Sequence, residues 1–236
     1  MYYSNIVVLT GAGISAESGI NTFRDQNGLW ENHAIEEVAT PEGFAANPAL
    51  VHQFYNARRA QLLDPALKPN AAHLALAQLE QRHCAAGGQF LLITQNVDNL
   101  HQRAGSEQLI AMHGQLQQVK CVQSGQSQPW TGPLSLQDSC SCCTPARPLR
   151  PNIVWFGEMP YQMEQIEQAL CQADLFIAIG TSGQVYPAAG FAALAAANGA
   201  YTVELNLEAT RGDFASGQYG LASKVVPQFV AQLLNG

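Results

Sequence analysis

Short, nearly continuous apolar runs recur along the chain and are separated by longer, mostly polar segments. The clearest runs are residues 6–9, 90–94 and 174–179. Runs of this length that stay apolar at successive positions are typical of buried strands in a parallel sheet, which helices cover on both faces. Further apolar runs predict strands at residues 109–112, 153–156, 201–205 and 225–226.

Helix signals lie between these runs. Asn47 and Pro48 suit the N-cap and the first position of a helix, and they predict a helix that runs to about residue 63. Asn70 predicts the cap of a second helix from residue 71 to about 84. Later helices are predicted at residues 163–171, from Pro187 and from Pro227. This alternation of strands and helices predicts an α/β fold with a parallel sheet.

A glycine fingerprint follows the first apolar run. Gly11, Gly13 and Ala16 match G-x-G-x-x-G/A, in which small residues allow a tight turn and a close approach of backbone to a dinucleotide. A helix that starts here would direct free N–H groups at a pyrophosphate. The alternative is that these glycines only shape a turn. Residues 21–28 have a loop composition where a dehydrogenase has a helix and second strand, which favours a nucleotide site that does not serve hydride transfer.

Polar residues also follow the later strands. Gln95, Asn96 and Asp98 come directly after the run at 90–94, and they exceed the single residue that a helix cap requires. Gly180, Thr181 and Ser182 form a second phosphate-friendly turn, and Asn206, Leu207 and Glu208 follow the run at 201–205. Because right-handed crossovers bring the carboxyl ends of parallel strands to one edge, these residues predict a nucleotide site there.

His113 ends the run at 109–112. A single histidine is often a hydrogen-bonded core residue. The alternative is a general base, since imidazole titrates near neutral pH and this one lies at a strand end.

Tyr55 and Arg58 are three residues apart and therefore share one face of the helix that starts at Pro48. Spacing alone favours a tyrosine packed on an arginine stem at the surface. A phenol and a guanidinium could instead converge on a carboxylate ligand, which the planar guanidinium suits.

Residues 115–150 are poor in apolar residues and contain a group of cysteines. Cys140 and Cys143 form one C-x2-C pair, but Cys121 has Ser124 where its partner would stand. Zinc would stabilise a segment with so small a core, and the absence of histidine or carboxylate ligands indicates a structural site. Three outcomes stay open: Cys142 is the fourth ligand, the site is weak, or it is empty.

Composition limits the class of protein. The chain has 236 residues, a net charge of −7 and 12% charged residues. This charge argues against broad nucleic-acid binding, and no apolar stretch reaches the ~20 residues of a membrane span. No basic segment followed by an apolar stretch begins the sequence, and the cysteine pattern fits a metal site better than disulfides. We therefore expect a cytoplasmic globular protein.

Taken in order, these motifs resemble one family. GAGISAESGI with FR, TQNVDNLH, HG, the cysteine-bearing insertion, WFGE, GTS and NLE resemble a sirtuin, an NAD-dependent protein lysine deacylase, over essentially the whole chain. Tyr55, Arg58 and a small Ala39 resemble the bacterial class III type that accepts acidic acyl groups. The resemblance implies a Rossmann-like parallel sheet with helices on both faces (residues 1–30, 71–114 and 151–236), a helical module (31–70) and a zinc module (115–150).

The resemblance also implies roles for individual residues. His113 would deprotonate a ribose hydroxyl, the acyl group would leave lysine for ADP-ribose, and nicotinamide would be released. Tyr55 and Arg58 would bind a succinyl carboxylate, and the substrate would add as an extended strand between residues 156–158 and 183–185. Cys121, Cys140 and Cys143 would bind zinc. The implied NAD site comprises Gly11, Ala12, Gly13, Ala16, Glu17, Phe23, Arg24, Gln95, Asn96, Asp98, Gly180, Thr181, Ser182, Asn206, Leu207, Glu208 and Ala222.

Two other functions compete with deacetylation and desuccinylation. One is NAD-dependent ADP-ribosyl transfer to protein at a similar site. The other is a catalytically silent NAD-binding module that contacts partners through its cysteine segment. The presence of Asn96, Asp98 and His113 together argues against the silent module.

Overall fold

A computed structural model describes residues 3–20, 29–30 and 33–235, with only the backbone described at 29–30. In chain order the strands are β1 (Asn5–Thr10), β2 (Leu29–Trp30), β3 (His33–Ala34), β4 (Gln89–Thr94), β5 (Leu109–Ala111), β6 (Gly114–Cys121), β7 (Ser127–Pro129), β8 (Leu149–Ile153), β9 (Leu175–Ile179), β10 (Tyr201–Asn206) and β11 (Ser216–Tyr219). The α-helices are α1 (Ile35–Val38), α2 (Pro41–Ala46), α3 (Pro48–Leu62), α4 (Ala71–Ala85), α5 (Leu100–Ala104), α6 (Met163–Gln172), α7 (Phe191–Ala197) and α8 (Ala222–Asn235).

The main sheet has the order β11-β10-β9-β1-β4-β5, and its neighbouring strands are all parallel. From the central strand β1 the chain builds outward through β4 and β5, and it then returns to the other side for β9, β10 and β11. The strand order therefore reverses between β1 and β9. In open α/β sheets, ligands bind at the carboxyl ends of the strands at such a reversal.

Helices cover both faces of this sheet. On one face, Leu76 and Leu79 of α4 and Val226 of α8 pack against the strands. On the other face, Ile166 of α6 and Phe191 of α7 do the same. Both clusters are built around buried apolar side chains, whose removal from water is the main stabilising contribution to the domain. The expected sheet with helices on both faces is confirmed.

The helical module is α1, α2 and α3, and its caps follow the sequence signals. Asn47 accepts a hydrogen bond from the Leu50 N–H at 3.1 Å, and Pro48 is the first residue of α3. Asn70 caps α4 and forms a reciprocal capping box with His73. A separate apolar cluster joins α3 to residues of the cysteine module and its exit, among them Leu116 and Trp155.

The cysteine module contains an antiparallel sheet in the order β7-β6-β8. The apolar run at 153–156 does not form a strand of the main sheet as predicted. The strand ends at Ile153 in the small sheet, and Trp155 turns into the cluster beneath α3. An apolar run reports burial, but it does not say against which element the residues are buried.

The prediction of a strand at residues 225–226 is also wrong. α8 begins at Ala222 and contains Pro227 in its interior. The edge strand is instead Ser216–Tyr219, which no apolar run in the sequence indicates. Val225 and Val226 are buried against the sheet from within the helix. In the described part of the chain, no helix is both long and apolar enough to cross a membrane.

Candidate functional site

The loops after β1 and β9 are pressed together at the strand-order reversal. The Gly13 N–H donates to the Gly180 carbonyl at 2.8 Å, and the Gly11 N–H donates to the Ile179 carbonyl at 3.0 Å. A Cβ atom on Gly13 would lie 2.8 Å from Gly180 Cα, and one on Gly11 would lie 2.9 Å from Thr181 Cα. Gly180 itself has φ of +59°. Contact between the two loops therefore requires the fingerprint glycines, independently of any ligand.

The residues after Gly11 do not form the predicted α-helix. They form two 3-10 turns, Ala12–Ile14 and Ala16–Ser18, and the second ends at Gly19 with φ of +95°. Ser15 lies between the turns, and its side chain bonds inward to Asn96 and Asp98 instead of facing solvent. This tertiary contact accounts for the interrupted helix.

A cavity of about 170 Å³ lies beside this loop. It is bordered by Gly13, Ala16, Glu17, Gly180, Leu205, Asn206, Leu207, Gly220, Leu221 and Ala222. The Glu17 carboxylate accepts hydrogen bonds from the Ser223 N–H at 2.8 Å and from the Ser223 hydroxyl at 2.7 Å, so it joins the fingerprint loop to the start of α8. The cavity therefore brings together the first and last predicted parts of the NAD site.

Hydrogen bonds connect the neighbouring strand ends. Gln95 Nε2 donates to Thr181 Oγ1 at 3.0 Å, and Asn206 Nδ2 donates to the Thr181 carbonyl at 2.8 Å. Ser182 lies in the same loop and accepts a hydrogen bond from the Gln184 N–H. Glu208 is exposed after β10. The predicted Phe23 and Arg24 lie outside the described residues.

Asn96 and Asp98 form a buried polar network with Ser15. Asn96 Nδ2 donates to Ser15 Oγ at 3.1 Å, and Ser15 Oγ donates to Asp98 Oδ2 at 3.0 Å. The other Asp98 oxygen accepts from the Leu100 N–H at 2.9 Å, so Asp98 also caps the start of α5. Burial raises the pKa of Asp98 above its ordinary value. The capping interpretation of this aspartate is therefore confirmed, and its role in a nucleotide site stays a prediction.

Two buried histidines, His73 and His101, extend this network, although neither is among the predicted site residues. His73 Nε2 lies 3.4 Å from Ser15 Oγ, and the His73 and His101 rings are 4.8 Å apart. His101 Nε2 lies 3.0 Å from Thr10 Oγ1. Burial lowers the pKa of His73 to about 4 and that of His101 to about 3, which keeps both rings neutral at neutral pH. The capping-box position of His73 was the one available sequence signal.

His113 lies beyond the end of β5, with its ring directed towards the loop after β4. Its Nδ1 lies 3.1 Å from the Gln95 carbonyl oxygen. A carbonyl can only accept, so this bond assigns the ring proton to Nδ1 and leaves Nε2 as the basic atom. Burial lowers the pKa of His113, although the bond to Gln95 opposes this effect. The imidazole is therefore neutral at neutral pH, and its Nε2 can accept a proton.

Tyr55 and Arg58 are held differently from one another. Tyr55 is fully buried, and its hydroxyl oxygen accepts a hydrogen bond from Trp155 Nε1 at 2.9 Å. Burial raises the pKa of Tyr55, so its hydroxyl keeps its proton. The Arg58 guanidinium lies 3.4 Å from the centre of the Phe54 ring and donates to the Phe54 carbonyl. Because Tyr55 is buried, the surface-packing interpretation of this pair is wrong for the tyrosine.

The thiols of the cysteine module converge on one point. The Sγ atoms of Cys121, Cys140, Cys142 and Cys143 all lie within 4.8 Å of one another. Cys143 Sγ is 3.8 Å from Cys121 Sγ and 3.9 Å from Cys142 Sγ. A tetrahedral site with Zn–S bonds of about 2.3 Å has edges of roughly 3.8 Å. The cluster therefore has the dimensions of a four-thiolate zinc site.

Comparison with known proteins gives a consistent result. The Sir2 family model matches residues 11–187. An NAD-dependent protein deacylase of Salmonella typhimurium is 60% identical over 98% of this chain and 84% of its own, and one of Pasteurella multocida is 60% identical over 97% of both. A Sir2 homologue solved with NAD has a TM-score of 0.87 at 36% identity, covering 99% of this chain and 90% of that one. A Sir2 protein solved with a p53 peptide and NAD has a TM-score of 0.75 at 31% identity, covering 99% and 93%.

Proposed function

Since the chain belongs to the Sir2 family and is an NAD-dependent protein deacylase, we propose that His113 is the catalytic base that enables acyl transfer from lysine to ADP-ribose. The bond between His113 Nδ1 and the Gln95 carbonyl carries this proposal, because it leaves Nε2 able to take a proton. The lowered pKa of His113 keeps this nitrogen unprotonated at neutral pH. The imidazole accepts a proton from a ribose hydroxyl and so makes that oxygen nucleophilic.

The residues around the strand-order reversal fit a dinucleotide. The cavity lies where the loops after β1 and β9 meet. It is bordered by Gly13 and Ala16 on the first loop and also by Asn206 and Ala222. When bound, NAD supplies a ribose carbon that loses nicotinamide and a hydroxyl that receives the acyl group. The residues that would hold it are Gly11, Ala12, Gly13, Ala16, Glu17, Phe23, Arg24, Gly180, Thr181, Ser182, Asn206, Leu207, Glu208 and Ala222.

The nicotinamide end of the proposed NAD site is lined by Gln95, Asn96 and Asp98. Asn96 and Asp98 are held by Ser15, and their burial excludes water from the nicotinamide side of the site. Gln95 serves twice, because its carbonyl orients His113 and its amide bonds to Thr181. Gln95 thereby fixes the position of His113 relative to the loop that would hold the dinucleotide.

Acyl-lysine binds as part of an extended segment between residues 156–158 and 183–185. Exposed Phe156 on one side and exposed Tyr186 beyond the other offer apolar surface to such a segment. Tyr55 and Arg58 bind the carboxylate of an acidic acyl chain such as succinyl, and the small Ala39 leaves room for it. The Tyr55 hydroxyl supplies a donor there and Arg58 a positive charge.

Zinc would be held by Cys121, Cys140 and Cys143, with Cys142 as the fourth ligand in place of the residue missing at position 124. The Sγ distances support this set, and Ser124 Oγ lies 3.1 Å from Cys142 Sγ, beside the cluster. The Ser124 N–H, followed by that of Gln123, points at Cys121 Sγ and helps lower the pKa of this thiol to about 6, towards the thiolate that zinc binds. Zinc here would stabilise a module with a small core and would take no part in acyl transfer.

The substrates are proteins, and the proposed compartment is the cytoplasm. All six cysteines are free thiols, which suits a reducing compartment. The net charge of −7 supports a protein that forms no stable complex with nucleic acid.

The test incubates the purified protein with NAD and an acyl-lysine peptide. We expect nicotinamide and free lysine in equal amounts, and His113→Ala should reduce the rate by about 10²–10⁴-fold, as expected for loss of a general base. Circular dichroism checks that the variant is folded. Transfer of radiolabel from NAD to protein without release of free lysine would instead support the ADP-ribosyltransferase.

The acyl preference has its own comparison. Arg58→Met should impair desuccinylation far more than deacetylation on peptides of the same sequence, because only the succinyl chain carries a carboxylate. Equal losses with both peptides would refute the assignment of Tyr55 and Arg58.

A further inference from the structure

Trp155 contacts both Tyr55, which we assign to the acyl group, and Glu158, which belongs to the segment that we assign to the substrate backbone. It is almost fully buried, and it immediately precedes the segment 156–158 to which we assign the substrate backbone. Its indole N–H donates to the Tyr55 hydroxyl oxygen at 2.9 Å. Its backbone N–H donates to Glu158 Oε2, also at 2.9 Å.

The bond to Tyr55 fixes the direction of hydrogen bonding at the phenol. An indole N–H can only donate, so the Tyr55 oxygen must be the acceptor in this pair. The tyrosine O–H must then point away from the indole. A donor on the oxygen also polarises the hydroxyl and strengthens it as a donor in its turn.

The indole itself has little freedom to move. The Arg150 guanidinium lies 3.5 Å from the Trp155 ring centre, and the Phe44 ring lies 5.3 Å away on a tilted plane. Arg150 also forms a two-point ion pair with Glu158, at 2.9 and 2.6 Å. The Tyr55 hydroxyl is therefore oriented by a residue that is fixed to the same turn as the substrate-binding segment.

We propose that Trp155 is a positioning residue for acyl selectivity: its indole N–H holds the Tyr55 hydroxyl as a donor directed at the carboxylate of an acidic acyl chain. This inference rests on the proposed role of Tyr55 and Arg58. It adds that selectivity depends on a residue which itself does not touch the acyl group. It also explains why a tryptophan, and not merely an apolar side chain, suits this buried position.

The test compares Trp155→Phe with the parent protein on succinyl-lysine and acetyl-lysine peptides of one sequence. Phenylalanine keeps an aromatic ring next to Arg150 and Phe44 but has no N–H. The succinyl-to-acetyl ratio of kcat/KM should fall by about 2- to 10-fold, the range expected for one neutral hydrogen bond, and KM for the succinyl peptide should carry the loss. Using the ratio removes any effect of the smaller ring that both peptides share.

A double-mutant cycle with Tyr55→Phe isolates the pair. In the Tyr55→Phe background, Trp155→Phe should leave the succinyl-to-acetyl ratio within about twofold of the single variant, because the oriented hydroxyl is already absent. A second drop as large as the first would overturn the proposal. So would a fall in kcat that is equal for both peptides, since this is the result of a purely structural tryptophan.

The two levels of the argument fail differently. If Tyr55→Phe and Arg58→Met lower the ratio but Trp155→Phe does not, the positioning role is wrong and the acyl assignment stands. If Tyr55→Phe leaves the ratio unchanged, the acyl assignment itself is wrong. If Trp155→Phe does not fold, 3-benzothienylalanine at position 155 keeps the fused rings and replaces only the N–H with sulfur; it should reproduce the fall in the ratio, and an unchanged ratio would overturn the inference.

Discussion

Arg59 offers a direct test of how the two inserted modules are held together. This arginine of α3 is only 1% exposed, and its Nε donates to the Leu116 carbonyl at 2.7 Å. Its Nη1 donates to Asn56 Oδ1 at 2.7 Å and to the Gly132 carbonyl at 3.3 Å. The guanidinium therefore joins the helical module to β6 and to the loop at Gly132, both in the cysteine module.

Replacing this residue by methionine sets two effects against each other. Burial lowers the pKa of Arg59, which indicates a cost of desolvating its charge, and Nη2 has no hydrogen-bond partner among the described residues. Removing the charge recovers that cost. Against this, Arg59→Met leaves the buried Leu116 carbonyl without its partner, at a cost of about 1–3 kcal/mol, and it also removes two charge-assisted bonds.

We expect the second effect to dominate and the variant to lose about 2 kcal/mol of folding free energy. For a chain of this size, that corresponds to a fall in Tm of roughly 4–8 °C. Thermal unfolding followed by calorimetry measures it. The matched control is Arg82→Met, an exposed arginine of α4, which should shift Tm by no more than about 2 °C. An unchanged or higher Tm for Arg59→Met would show that desolvation of the guanidinium outweighs its hydrogen bonds.

Three further predictions concern the site. Because burial lowers the pKa of His113 and only the neutral ring accepts a proton, kcat/KM should fall with decreasing pH only below about 6.5, the ordinary histidine value; a midpoint above 7 in the pH profile would contradict this. Gly180→Ala should weaken NAD binding measured by calorimetry, since a Cβ at φ of +59° would collide with the Ile14 backbone nitrogen; unchanged affinity would refute the role of loop contact. Cys142→Ser should lower bound zinc, measured by metal analysis, and Ser124→Cys added to it should restore one zinc per chain; full zinc in Cys142→Ser alone would exclude Cys142 as a ligand.

The sheet and its ligand-binding edge could be predicted from sequence because each rests on a local signal. Continuous apolar runs marked β1, β4 and β9, and the caps Asn47 and Asn70 marked their helices at the positions observed. The topology of parallel crossovers then brought Gln95, Thr181 and Asn206 together, and the structure joins them by direct hydrogen bonds.

The errors arose where tertiary contacts decide between local alternatives. Val225 and Val226 suit a strand by composition, but in α8 both side chains reach the core. The residues after Gly11 suit a helix, but the bonds of Ser15 to Asn96 and Asp98 interrupt it. The partnership of His73 with His101 joins two elements distant in sequence, so no spacing could indicate it.

The placement of the two insertions suggests why acyl selectivity and NAD chemistry can be separated in this fold. The helical module leaves the sheet between β1 and β4, and the cysteine module leaves it between β5 and β9. The two modules meet through Arg59, and the Tyr55–Trp155 bond joins the helical module to the segment that follows the cysteine module. The proposed acyl residues belong to the insertions and their junction, whereas Gly13, Gln95 and Thr181 belong to the sheet edge. We therefore expect a substitution at Tyr55 or Trp155 to alter which acyl group is bound without moving a strand end. One connection back to the sheet is the Leu116 N–H, which donates to the Val97 carbonyl at 2.9 Å, directly beside Asp98. Because Arg59 holds the Leu116 carbonyl, loosening it should disturb the buried network as well as the module contact, which is why Arg59→Met should reduce activity on acetyl and succinyl peptides alike.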